Sequence, residues 1–148
     1  MPRRTSGGDV VTDLVEEVFA LNGLVLRAGD AMTAPHGLTS ARWQVLGVLA
    51  HGPATVAQVA RARGLRRQSV QETVDRLRAD GLVAAHPNPR DRRAPLIHIT
   101  EQGEHALRAL GPSQTAWADE LARAIPAEDL VTALAVLRAL RERLEKNV

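Results

Sequence analysis

Apolar residues recur at spacings of three and four from Val11 through Leu14, Val15, Val18, Leu21 and Val25 to Ala28. That period predicts an amphipathic helix of about six turns over residues 9–32. Ala34-Pro35-His36-Gly37 ends it. Thr39 or Ser40 can cap a second helix, which turns Trp43, Leu46, Leu49 and Ala50 inward and stops at His51-Gly52-Pro53. Thr55 caps a short third helix with Val56, Val59 and Ala60 inward, and Gly64 closes it. A fourth runs from about Arg67 to Asp80, buries Val70, Val74 and Leu77, and ends at Gly81, a residue suited to a left-handed cap. The period then shortens. Leu82 to His86 reads as a strand, Pro87 and Pro89 loosen a loop, and Leu96 to Ile99 reads as the return strand. Thr100 caps a further helix to about Ile125, which Gly111-Pro112 should kink or split. After Pro126 a last helix, about Ala127 to Glu145, carries Leu130, Leu134, Leu137, Leu140 and Leu144 on one stripe.

Two short helices, a third with a polar outward face and a basic hairpin make residues 38–103 a winged helix-turn-helix in outline. The fold class expected is mainly α with a small β-hairpin wing. Around it stand a flexible arm at 1–8, an N-terminal dimerisation helix at 9–37 and C-terminal dimerisation helices at 104–148. At 148 residues these form a single structural domain. The terminal helices exceed what one small winged helix needs to cover its core. Their stripes call for a partner helix, and a homodimer follows naturally, because paired reading helices can then enter successive major grooves.

Charge sharpens this outline. The net +2 hides an excess in the middle: residues 61–93 hold nine arginines against four acids, whereas 1–60 and 94–148 are slightly acidic. Positive charge therefore gathers where the reading helix and hairpin lie, as a phosphate-binding surface requires. The absence of cysteine excludes disulfides, thiolate metal sites and thiol redox sensing. No apolar run reaches the length of a membrane span, and the basic N-terminus lacks an apolar segment behind it, so a cytoplasmic protein is expected. His36, His51, His86, His98 and His105 show no helical pairing and read as structural or solvated, so neither metal nor cofactor is expected. Phosphate loops, nucleophile elbows, HExxH and paired carboxylates are missing, which argues against an enzyme.

With Val70, Val74 and Leu77 inward, Gln68, Glu72 and Arg76 point outward and Ser69 and Gln71 flank them. Gln suits adenine and Arg suits guanine. Arg66 and Arg67 open the same helix, and Arg90, Asp91, Arg92 and Arg93 form the hairpin tip, where arginine can enter a narrow minor groove. Glu72 has three readings: an ion pair with Arg76 one turn on, acceptance from cytosine N4, or plain repulsion of DNA. The i, i+4 pair assumes least about the DNA.

The stretches LTSARWQVLGVLA, TVAQVARARGLRRQSVQETVDRLRADGLV and NPRDRRAPLIHITEQGEHAL resemble the MarR-type (multiple antibiotic resistance) regulators. Asp91, Arg93 and the Leu96…Ile99-Thr100…Gly103 pattern are the most specific part. The resemblance implies an obligate homodimer with interleaved terminal helices, probing double-stranded DNA at a palindromic operator as a repressor. It further implies release by a small, often phenolic, effector bound between dimer core and DNA lobe, in a crevice near His36, Arg42 and Trp43. Within the wing it implies that Asp91 pairs with Arg93, holding it in shape while Arg90 or Arg92 reaches DNA. Two residues depart from the pattern. Arg66 stands where Ser or Thr commonly caps the reading helix, and Glu72 stands where many members carry arginine. The branch that senses peroxide through cysteine is excluded, and a first helix without tryptophan is unlike the urate-responsive branch. The other class of function open to this outline is a winged helix that binds a protein partner, or DNA without an effector.

Overall fold

Thr5 starts the first helix earlier than the apolar stripe indicates. The computed structural model describes residues 2–147, and in it helix α1 spans Ser6–Thr33, with the Thr5 hydroxyl accepting from the Gly8 amide at 3.0 Å. Residues 6–8, expected in a flexible arm, are thus helical, because a capped N-terminus offsets the poor propensity of Gly7 and Gly8. A 3-10 turn, Ala34–His36, follows and closes on Gly37 at φ 70.

Helix α2, Ser40–Leu49, is capped by Thr39. It touches α1 almost backbone to backbone. The Ser40 hydroxyl donates to the Leu26 carbonyl at 2.7 Å, and the Ser40 amide donates to the Asp30 carboxylate at 2.8 Å. A Cβ at Gly29 would run into Ser40 Oγ, so a larger residue there would displace the Ser40 hydroxyl from the Leu26 carbonyl. Helix α3, Val56–Arg63, opens on a complete capping box between Thr55 and Gln58. Helix α4 covers Arg67–Ala79, and strands β1 (Val83–His86) and β2 (Leu96–Ile99) pair antiparallel, with Val83 opposite Ile99 and His86 opposite Leu96. Ala54 adds a single bridge to Ile97, tying the start of α3 to the hairpin. The chain ends in α5, Glu101–Ala122, and α6, Ala127–Lys146.

One apolar cluster holds the first part together. Leu46, Leu49, Val59, Val70, Val74, Leu77, Val83 and Ile97 are buried in it, with Ala106 and Leu107 of α5 packed against it. Each large side chain so buried contributes on the order of 1.5–3 kcal/mol relative to exposure. Val45 is buried where Ala50 was expected: Ala50 caps α2 and is exposed, and Trp43 is only half-buried. Gly103 lets α5 cross the start of β1, since a Cβ there would meet the Leu82 carbonyl.

The chain divides into two compact units, residues 1–110 and 111–148. The division falls at Gly111-Pro112, yet α5 runs unbroken through Pro112 rather than splitting there. Pro112 and Arg108 are both exposed. The Arg108 carbonyl that loses its donor can therefore turn to water. Helix α6 buries no residue, and Leu130, Leu134, Leu137 and Leu144 of the predicted stripe are exposed, with Leu140 half-buried.

Candidate nucleic-acid interface

Helix α4 is anchored by three side chains and free everywhere else. Val70, Val74 and Leu77 are at most 1% exposed, while Arg66, Arg67, Gln68, Ser69, Gln71, Glu72 and Arg76 all lie in solvent. Its N-terminus has no side-chain cap and no acid in the first turn; Arg66 holds the cap position with extended backbone, φ −74 and ψ 141. The opening N–H groups of the helix are consequently without a capping side chain in a locally positive field, a state that favours an anion. The expected Glu72–Arg76 ion pair does not form. At that spacing on the neighbouring face Gln71 instead donates from Nε2 to Asp75 Oδ1 at 2.9 Å. Among the described residues Glu72 has no ion-pair partner and stands as a carboxylate on the outward side.

The wing tip is shaped by two short polar residues. The Asn88 side chain accepts from the Arg90 amide at 3.1 Å and donates across the loop to the Ala94 carbonyl at 3.0 Å. Asp91 then accepts from the Arg93 amide at 3.0 Å. The pairing implied for Asp91 and Arg93 thus runs to the backbone of Arg93 and not to its guanidinium. A backbone amide two residues on is the partner an aspartate reaches without ordering a long side chain. Arg90, Arg92 and Arg93 are exposed, and among the described residues none of them enters an ion pair. Three guanidinium groups therefore project from a loop whose backbone is held. Asn88 was not singled out from the sequence, although an Asn before a proline in a turn is a signal for such a role.

The arginines of residues 61–93 do not all serve one purpose. Arg63 donates from Nε to the Gln44 carbonyl at 3.1 Å and bridges α3 to α2. Arg42, expected near a ligand, reaches Asp80 at the C-terminal cap of α4, with 2.7 Å between Nη1 and Oδ2. Trp43, next along α2, lies against α1, whose Gly29 would place a Cβ 3.6 Å from its ring. His36 is half-buried in the 3-10 turn. Two open clefts lie elsewhere. One of about 520 Å³ is bordered by Gly81, Thr100, Glu101, Gln102, His105 and Arg108, and one of about 320 Å³ separates Thr55 and Gln58 from Asn88 and Arg90. Among the described residues no three His, Asp or Glu side chains gather as a metal site. His86 and His98 do meet across the hairpin, with ring centroids 4.4 Å apart.

A reading helix carried by a helix-turn-helix and followed by an ordered basic hairpin defines a winged-helix DNA-binding protein. The MarR family model matches residues 36–94, and the chain belongs to that family, a family of transcription regulators. It is 36% identical over 140 residues to the uncharacterized protein Rv2011c of Mycobacterium tuberculosis, covering 95% of this chain and 93% of that one. Among solved structures it is similar to Sco5413, a MarR family transcriptional regulator from Streptomyces coelicolor. That pair shares 29% identity and a TM-score of 0.76 over 92% of this chain and 96% of the other. CouR from Rhodococcus jostii RHA1, solved bound to p-coumaroyl-CoA, gives 25% identity and a TM-score of 0.77 over 87% and 92%. No helix is long and apolar enough to cross a membrane among the described residues.

Proposed function

We propose that this regulator works as a homodimer on a palindromic operator, reads it with α4, grips it with the wing, and acts as a repressor released by a small ligand. The observation that carries DNA reading is the presence, on one compact unit, of an uncapped polar helix and three unpaired arginines on a braced loop. Arg66 and Arg67 together with Gln68, Ser69, Gln71, Glu72 and Arg76 form the major-groove surface in this reading, and Arg90, Arg92 and Arg93 the minor-groove surface, with Asp91 bracing the tip. Dimerisation is supported by apolar side chains that a lone chain leaves in water: Val11, Val15, Val18 and Leu21 on α1, Leu134, Leu137 and Leu144 on α6. In this scheme residues 9–37 and 104–148 are the dimerisation segments and 38–103 the DNA-binding segment. Ligand release rests on the likeness to CouR, whose bound p-coumaroyl-CoA carries a phenol. Residues His36, Arg42 and Trp43 are the proposed contacts.

Selection of bound duplexes from a random pool tests this reading. The expected product is a palindrome with half-sites one helical turn apart, roughly 34 Å. A single asymmetric site would remove the dimer geometry. Failure to enrich any sequence, together with weak salt dependence, would replace DNA reading by a protein-interaction role. A phenolic acyl thioester or free phenolic acid should loosen the selected complex; binding unchanged at saturating ligand would leave an effector-independent regulator.

A further inference from the structure

The hydrogen bond from Gln71 Nε2 to Asp75 Oδ1 has a consequence for which base α4 selects. An ionised carboxylate only accepts hydrogen bonds, so the group facing Asp75 must be the NH2 end of the Gln71 amide. Turning that amide over would set Oε1 against the carboxylate, oxygen against oxygen. Asp75 therefore removes the rotational ambiguity that a free glutamine has on a helix surface. It does so at i, i+4, where side chains on one helix meet, and enters no ion pair that would draw it away.

Once one amide hydrogen is given to Asp75, Gln71 presents one remaining N–H beside Oε1. A donor next to an acceptor matches adenine in the major groove, whose N7 accepts and whose N6 amino group donates. Guanine offers N7 and O6, two acceptors, and a glutamine meets both only by pointing its whole NH2 group at them. With the amide held by Asp75 that arrangement is lost. Thymine offers an acceptor and a methyl group, cytosine a lone donor, and each satisfies half of the locked amide. We propose that Asp75 is a positioning residue that fixes the Gln71 amide and so makes Gln71 selective for adenine. This rests on the reading that α4 enters the major groove.

Wild-type protein and the variants Gln71→Ala, Asp75→Ala and Asp75→Asn are compared on the duplex that wild type enriches and on its single-base changes. The position read by Gln71 is the one whose preference disappears in Gln71→Ala. There wild type should favour adenine over guanine by on the order of 10- to 100-fold, the range of a good bidentate contact. Asp75→Ala should bind random duplex at least as tightly, one negative charge having gone, yet lose most of that preference. Asp75→Asn offers a donor as well as an acceptor, so it pairs with either orientation of the Gln71 amide and should lose the preference as well. The double variant Gln71→Ala/Asp75→Ala should lose nothing more at that position. Both residues are exposed, so far-UV circular dichroism and Tm should be unchanged in all variants. Guanine or thymine as the wild-type preference, or full adenine preference in Asp75→Ala, overturns the proposal while leaving DNA reading intact. If wild type enriches no sequence, DNA reading fails and this inference fails with it.

Discussion

At the scale of residues, the surface of α4 is legible in the sequence as a set of outward side chains, but their partners are not. The 100° step places Gln68, Glu72 and Arg76 opposite Val70 and Val74 without any coordinates, and all three are exposed. Which of two i, i+4 pairs closes is a matter of rotamers, and the pair that forms is Gln71–Asp75 rather than Glu72–Arg76. Glu72 is consequently an uncompensated charge: Glu72→Ala should tighten binding of every duplex alike, checked by titrating the selected and random duplexes in parallel. On the wing, Arg92→Ala should weaken all sequences and lower the slope of log K against log salt by about one phosphate-equivalent. Arg66 offers a further check. Arg66→Ser supplies the missing cap and should stabilise the fold by about 1 kcal/mol in urea unfolding, while weakening DNA binding, because the hydroxyl then occupies an N–H that a phosphate would use.

Element boundaries follow the chain where a cap or a breaker announces them and drift where the cause is distant. Thr39, Thr55, Gly64 and Gly81 mark their helix ends as read. Thr5 carries no such announcement, because no apolar residue follows it closely, and Pro112 does not end α5, a proline's cost inside a helix depending on whether the freed carbonyl is wet. Pro112→Ala should restore one hydrogen bond and raise helix stability, provided no new contact is made. A rise in Tm with unchanged far-UV spectrum is the expected result. The Ala54–Ile97 bridge and the His86–His98 contact were invisible for another reason: both join residues far apart in sequence, and periodicity carries no information on such pairings. Gly103 is similar. The sequence shows a glycine in a helix, where it costs stability, and only the crossing over Leu82 explains it. Gly103→Ala should therefore destabilise the first unit by more than the gain in propensity, measured as a lowered Tm.

On the scale of the whole molecule, the unpaired stripes bear the next test. Leu137→Asp together with Leu140→Asp puts two charges where the proposed dimer is apolar, and should give monomer or unfolded chain by light scattering. A dimer that binds DNA normally would argue against α6 as the interface. Fold class, helix order, the reading helix and the basic wing were all determined by the sequence itself, because each rests on local signals: hydrophobic period, caps, turn residues and the clustering of arginine. Tertiary structure alone decided that Arg63 reaches the Gln44 carbonyl of α2 and that Arg42 pairs with Asp80 at the end of α4. It alone showed that Asp91 holds an amide. The physical reason is the same in each case. A charged or polar side chain takes whichever partner the packed backbone brings within about 3 Å, and that partner is chosen by the three-dimensional path of the chain and not by its neighbours in sequence.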